Sequence, residues 1–90
     1  MELVFFSPTE ANAKVGRKVW VKVNNLFDLK KGLLGTVMKS VCLDQSANGF
    51  GVRVEWQLSH SGAIMTVFTK NEYECYLNEE PESFLKVDYD

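Results

Sequence analysis

Histidine is scarce in this chain of 90 residues, and its scarcity argues against most catalytic and metal-binding chemistry. His60 is the only histidine, so a histidine metal cluster or a histidine-assisted nucleophile has no second histidine to draw on. It stands between two serines in a turn segment, where a solvated side chain is expected. Gly32 and Gly35 lack the following Lys-Ser/Thr pair of a phosphate-binding loop. We therefore expect a protein that is not an enzyme and that uses neither cofactor nor metal.

Cysteine is almost as rare. Cys42 and Cys75 each stand inside an apolar run, and they share no metal-ligand or redox spacing. We expect two small buried thiols in a reducing compartment. A disulfide would require the fold to bring their Cα atoms within about 7 Å.

Long apolar runs are absent as well. No stretch reaches the roughly 18 apolar residues that a membrane-spanning helix needs. The segment Met1–Phe6 begins with an acidic residue at position 2, unlike a signal peptide. We expect no membrane segment and a cytoplasmic location. At 46% hydrophobic and 24% charged residues, the chain is still apolar enough to build the core of one domain.

The small net charge of −2 hides a split along the chain. Residues 1–70 carry nine basic and five acidic side chains, whereas residues 71–90 carry one basic and seven acidic ones. We divide the chain into an N-terminal apolar segment and loop at 1–14, a folded body at 15–77 and an acidic C-terminal tail at 78–90. Residues 78–83 are expected to be loose.

Alternating apolar and polar residues predict a β-rich body. The clearest strands are 18–23 and 50–58, and further strands are predicted at 34–43, 63–68 and 73–77. A bulge is expected near Met38–Ser40, where the alternation breaks. The expected core, with Met65 and Val67 as alternatives to Ile64 and Phe68, is Val19, Val21, Val37, Val41, Val52, Val54, Trp56, Ile64, Phe68, Tyr73 and Leu77.

Two segments have the pattern of helix starts. Thr69 and Glu72 can cap each other's backbone amides, which predicts one helical turn before the last strand. Near the N-terminus, the polar segment from Ser7 to Lys14 is either a loop or a short helix capped by Ser7 with Pro8 at its first position. The run Leu3–Phe6 before it is a barrel strand, an edge strand or an ordered arm.

The layout of these elements resembles the SH3-like small barrels. Val15–Val21 is similar to their opening strand, Gly32–Val37 to the second, Val52–Trp56 to the third and Phe68–Tyr73 to the helical turn before the fifth. The resemblance spans residues 15–77 and implies an all-β fold: a five- or six-stranded SH3-like barrel with one short 3-10 or helical turn before the last strand. Families built this way include KOW-type nucleic-acid and ribosome binders, the variable chain of ferredoxin–thioredoxin reductase and the small ferredoxin-docking subunit of photosystem I.

A protein partner is the first functional hypothesis. Because the valine face of strand 18–23 must point inward, Trp20 is left outside, and the loop at 24–33 has more apolar bulk than one loop needs. At least one of its apolar side chains is expected to cap the core. Exposed aromatic residues near cations are typical of interfaces. We expect an accessory or regulatory subunit that docks through an exposed aromatic and basic surface: Trp20, Phe27, Leu29, Lys30, Lys31 and Lys22.

Two alternatives remain open. One is a small RNA- or ribosome-associated barrel whose basic face consists of Arg17, Lys18, Lys22 and Lys39, although an isoelectric point near 5.4 argues against strong non-specific binding. The other is an accessory barrel of an electron-transfer complex. We expect a monomer or a weak homodimer, with Phe84–Val87 as a further segment able to add a strand to a sheet.

Overall fold

The computed structural model describes residues 3–58 and 62–80. The elements in chain order are α1 (Pro8–Lys14), β1 (Lys18–Val21), β2 (Leu34–Asp44), β3 (Gly49–Leu58), β4 (Gly62–Phe68), α2 (Lys70–Tyr76) and β5 (Leu77–Glu79). The five strands form one antiparallel sheet in the order β4-β3-β2-β1-β5. The expectation of a small, mostly β domain with five strands is confirmed.

The mostly β class is confirmed, but the sheet of the described residues does not close into a barrel. Over the described residues β4 and β5 are the two edges of an open sheet and do not pair with each other. Two helices of seven residues accompany the sheet. The second one takes up Tyr73–Tyr76, which were predicted as strand, so that β5 keeps only three residues. Asn78 and Glu79, predicted to be loose, lie in β5, whereas Phe84–Val87 and the rest of the acidic tail lie outside the described residues.

Both helices begin with the reciprocal cap that their sequences predict. Ser7 Oγ accepts from the amide of Glu10 at 3.1 Å while Glu10 Oε1 accepts from the amide of Ser7 at 2.9 Å. Thr69 and Glu72 repeat the arrangement at α2. Such caps satisfy backbone amides that the first helical turn leaves free. No helix of the described residues is long and apolar enough to cross a membrane.

The N-terminal run is an ordered arm. Phe6 and Phe50 exchange two backbone hydrogen bonds of 2.8 Å, and the ring of Phe6 meets that of Tyr73 edge-on at 5.6 Å. Lys70 N donates to the carbonyl of Val4 at 2.8 Å. The arm therefore ties the start of β3 to the start of α2.

The core lies on the inner face of the sheet, where the arm, α1, α2 and the loop between β1 and β2 cover it. Gly35 lies opposite Trp56, and a Cβ at Gly35 would stand 2.6 Å from Trp56 Cε3. A glycine at this position thus lets the indole approach the backbone of β2 closely. The buried apolar residues are Phe6, Ala11, Val19, Val21, Leu26, Leu29, Val37, Val52, Val54, Trp56, Phe68, Tyr73 and Leu77.

Two predicted core positions are wrong. The predicted bulge is present, as the register shifts between Val37 and Lys39. Beyond it Ser40 lies opposite Val52 and Val41 lies opposite Gly51, so Val41 leaves the inner face and is only half-buried. Ile64 does face inward but is 42% exposed, because it belongs to an edge strand.

The cysteines are also placed differently from the expectation. Both Cys42 and Cys75 are exposed free thiols. Cys42 lies near the far end of β2, opposite Phe50, and Cys75 lies on α2. Apolar sequence neighbours suggested burial, but these positions are beyond the covered part of the sheet or on the outward side of a helix.

Candidate functional site

One edge of the sheet is an uncharged strand with exposed apolar side chains. β4 has the sequence Gly-Ala-Ile-Met-Thr-Val-Phe and pairs only with β3 over the described residues. Ile64 is 42% exposed, Met65 50% and Val67 42%. We call Gly62–Phe68 with these three side chains the β4 edge.

The exposed side chains of the β4 edge lie on both of its faces. Ile64 is opposite the buried Trp56, on the inner face. Met65 and Val67 are opposite Glu55 and Arg53, on the outer face. Strands that are apolar on both faces are typical of the middle of a sheet, where both faces are covered. Here that pattern occurs at an edge.

Edge strands usually carry features that prevent further pairing. Charged residues, proline or a bulge interrupt the row of free backbone amides and carbonyls, which otherwise attracts another strand. β4 contains no charged residue and no proline, and its pairing with β3 runs without a register shift from Val52–Phe68 to Leu58–Gly62. The β4 edge therefore has the chemistry of a strand acceptor.

The polar side chain of Thr66 is satisfied within the fold. Trp56 Nε1 donates to Thr66 Oγ1 at 2.8 Å, which holds the middle of β4 to the core. The strand is thus fixed in register and needs no partner to satisfy its side chains. A pre-ordered edge loses little conformational entropy when a partner pairs with it.

Phe27 extends the apolar surface beside the β4 edge. It lies at φ 48° and Asp28 at φ 67°, between Leu26 and Leu29, whose backbones hydrogen-bond to each other. The Phe27 side chain is 60% exposed, and its ring lies 6.3 Å from that of Phe68, at the end of β4. A bulky residue at positive φ is strained. Here the strained turn holds an aromatic ring outside the core, at the corner next to β4.

Two charged side chains flank the outer face of the β4 edge. Arg53 lies opposite Val67, and its Nε is shielded from solvent without a hydrogen-bond partner among the described residues. Glu55 lies opposite Met65 and makes no ion pair within residues 3–58 and 62–80. Arg53 is half-buried, and a guanidinium whose Nε makes no hydrogen bond favours an approaching acceptor.

The predicted aromatic and basic patch is not brought together by the fold. Trp20 is half-buried on the outer face of β1 opposite Leu34, whereas Phe27 lies against Phe68 on the inner side. Leu29 is only 2% exposed, so its inclusion in a surface patch was wrong. Instead Leu29 and Leu26 cap the core, as expected for part of this loop. Lys30 and Lys31 are exposed.

Most of the predicted basic face is engaged within the fold. Lys18 Nζ donates to Thr36 Oγ1 at 2.9 Å, and Lys22 Nζ donates to the carbonyl of Glu74 at 2.8 Å, near the C-terminal end of α2. A cation at this position donates to a free helix carbonyl and interacts favourably with the negative end of the helix dipole. Arg17 lies 3.6 Å from Glu79. Lys39, opposite Arg53, makes no ion pair among the described residues.

A half-buried polar cluster ties α1, α2 and β5 together at the other edge of the sheet. Glu79 Oε2 accepts from Lys14 Nζ at 2.5 Å and from Tyr73 Oη at 2.8 Å. Burial raises the pKa of Glu79, but the hydrogen bonds from Lys14 and Tyr73 outweigh it, so this pKa lies below its usual value. Burial and then the bond to Glu79 raise the pKa of Tyr73. Lys14, Tyr73 and Glu79 each have a partner within the cluster, so we assign the cluster a role in stability.

The outer face has a shallow cavity of about 380 Å³ between β1, β2 and β3. It is lined by Lys18, Leu34, Gly35, Thr36, Glu55, Gln57 and Glu80. Its lining contains no nucleophile paired with a base. No cluster of three metal-ligating side chains occurs in it or elsewhere among the described residues.

No protein-family model matches the chain, and no curated protein or solved structure matches it. The β4 edge is therefore assigned from its geometry alone. Sequence reasoning assigned Ile64, Met65 and Val67 to the core or to its alternatives, because a continuous apolar run indicates burial. The signal for an interface was the same run together with the lack of any charge between Gly62 and Phe68.

Proposed function

We propose that this protein is a non-catalytic binding domain whose β4 edge receives an extended strand from a protein partner. The observation that carries the proposal is the exposure of Ile64 on one face and of Met65 and Val67 on the other face of an uncharged edge strand. Backbone pairing would supply affinity along β4, and side chains at alternate positions would supply specificity. An incoming strand would remove apolar surface from water on both faces of the sheet.

The flanking groups define the chemistry of the partner strand. On the inner side, the strand would place an apolar side chain between Ile64 and Phe27. On the outer side, it would cover Met65 and Val67 and bring a carboxylate toward Arg53, whose shielded Nε has no partner within the described residues. The proposed ligand is thus a short extended strand with apolar side chains on both faces and a carboxylate on the strand itself or on the strand next to it.

The proposal includes the SH3-like relationship expected from the sequence. It is supported by the return of β5 to pair with β1 and by the capped helix immediately before β5. We also keep the cytoplasm as the proposed location, because two exposed free thiols suit a reducing compartment. The RNA-binding alternative has less support, since Arg17, Lys18 and Lys22 all make contacts within the fold.

Affinity capture with matched variants tests the proposal. Wild-type protein, Met65→Lys and Met38→Lys are immobilised, and proteins retained from a nuclease-treated native lysate are identified. Met38 is the control because it is 43% exposed, close to the 50% of Met65, but stands on β2. Both variants add one positive charge at a half-exposed methionine, so that charge alone affects them equally.

Retention of a protein by the wild type and by Met38→Lys, but not by Met65→Lys, is the expected result. Equal retention by all three forms would overturn the assignment of the β4 edge. Retention that occurs only in a parallel lysate without nuclease and falls steeply with salt would favour the nucleic-acid alternative. Circular dichroism and a cooperative thermal transition show that each variant is folded.

A further inference from the structure

We infer that a second copy of this chain occupies the β4 edge, so that two sheets join into one across a two-fold axis. The inference rests on the proposed function and names its partner. In a symmetric dimer both copies contribute the same surface patch. An edge strand pairs with its own copy across such an axis in the antiparallel direction, which is also how every pair in this sheet runs.

The uncharged sequence of β4 permits this pairing. A charge near the middle of an edge strand would meet its own copy across the axis, and like charges directly opposite each other are destabilising. No residue between Gly62 and Phe68 is charged, so no such repulsion arises. Apolar side chains on both faces then become covered in both copies at once.

The charges on β3 select one register for the pair. When the axis passes through Thr66, Met65 faces Val67 of the second copy. Glu55 is the neighbour of Met65, and Arg53 is the neighbour of Val67. Each outer row therefore runs from Glu55 of one copy to Arg53 of the other, with two apolar residues between them. Moving the axis to Met65 would instead put both Glu55 side chains in one row.

The Thr66 register also covers the inner side. Ile64 then faces Phe68 of the second copy. In each copy the exposed ring of Phe27 lies 6.3 Å from the ring of Phe68, so Ile64 also approaches Phe27 of the second copy. The charged ends of an outer row are three strand spacings apart, about 14 Å between Cα atoms. The long side chains of arginine and glutamate extend toward each other over the two apolar residues. The row gives an opposite charge to the half-buried Arg53, whose Nε has no hydrogen-bond partner among the described residues.

Sedimentation velocity of the full chain over a range of concentrations tests the inference. The wild type and the Met38→Lys control are expected to show a monomer–dimer equilibrium, and Met65→Lys is expected to stay monomeric. Arg53→Glu and Glu55→Arg each place like charges at the ends of both rows and should weaken dimerisation roughly two- to thirtyfold. The double variant R53E/E55R exchanges the charges and should restore most of the wild-type affinity.

Each outcome has a separate meaning. A wild type that remains monomeric at millimolar concentration overturns the inference, and it leaves the proposed function standing if the lysate experiment still shows retention that depends on Met65. A dimer that Met65→Lys does not affect also overturns it, since the contact then lies elsewhere. If Met65→Lys abolishes dimerisation but R53E/E55R dimerises no better than Arg53→Glu or Glu55→Arg, the Thr66 register is overturned. Folding of every variant is checked by its thermal transition.

Discussion

Trp56 and Ile64 are cross-strand partners on the inner face of β3 and β4, yet the first is completely buried and the second is 42% exposed. The loop between β1 and β2 contributes Leu26 and Leu29 to the buried core, and its Phe27 ring lies 6.3 Å from that of Phe68 at the end of β4. The apolar surface of the core therefore continues to the edge of the sheet and stops in solvent. This relationship is the structural basis for assigning a docking function to the β4 edge.

The two aromatic residues of the predicted patch should behave differently on mutation. Phe27→Asn replaces an aromatic ring with a residue that tolerates positive φ, so the variant should fold and bind the captured partner about tenfold more weakly, as expected for an aromatic anchor worth more than 1 kcal/mol. Trp20→Ala, on the other face of the sheet, should change the affinity little. Calorimetric titration measures both. A larger loss for Trp20→Ala would support the patch predicted from sequence instead.

Removing the Tyr73 hydroxyl should destabilise the fold without disturbing its packing. Tyr73→Phe keeps the ring that meets Phe6 edge-on at 5.6 Å but loses the 2.8 Å hydrogen bond to Glu79. We expect a loss of about 1 kcal/mol in the free energy of unfolding, measured by urea denaturation. An unchanged free energy of unfolding would show that the hydrogen bond from Tyr73 to Glu79 contributes nothing to stability.

The same cluster predicts a dependence of stability on pH. The pKa of Glu79 is lowered from 4.5 in the folded state, so its stabilising contribution is complete above the unfolded value and is lost as the pH falls through the folded value. Glu79→Gln should therefore lower stability at pH 7 by about 1 kcal/mol, allowing for partial screening, and should flatten the acid side of the profile. Urea unfolding at a series of pH values checks this.

Glu80→Gln is the matched control for that profile. Glu80 is the next residue and makes no ion pair within residues 3–58 and 62–80. Its variant should follow the wild-type curve. An identical loss of acid dependence in both variants would contradict the role given to Glu79.

The start of α2 offers a test of the capping box. Thr69→Ala removes the hydroxyl that accepts from the amide of Glu72 and should cost about 1 kcal/mol of stability. Thr69→Ser keeps that hydroxyl and should cost less. Thermal unfolding of the two variants distinguishes the cap from the loss of a partly packed methyl group, since equal losses would point to the methyl group.

Local chemistry explains which parts of the fold could be predicted from the sequence. Two features depend only on neighbouring residues, and the structure contains both. They are the alternating strands around Val19 and Val52 and the helix caps at Ser7 and Thr69. Position within the sheet depends on long-range pairing. A run such as 63–68, apolar except for Thr66, indicates burial on both faces, and nothing local shows that β4 has a neighbour on one side only.

The candidate site was missed for the same reason. Phe27 was identified because an apolar loop residue beside lysines indicates a surface role, and it is exposed. Leu29, two positions later, was included on the same grounds, but the backbone turn at Phe27 and Asp28 directs it into the core. The turn requires positive φ at two residues that are not glycine, and the turn propensities of Phe and Asp do not predict that conformation.

Amide hydrogen exchange in the free and bound states tests the central claim most directly. The free protein is compared with the protein bound to its partner, whether that partner is captured from lysate or is a second copy at high concentration. Slowed exchange on binding is expected to concentrate in Gly62–Phe68. Slowed exchange around Trp20 and Lys30–Lys31, with β4 unchanged, would contradict it.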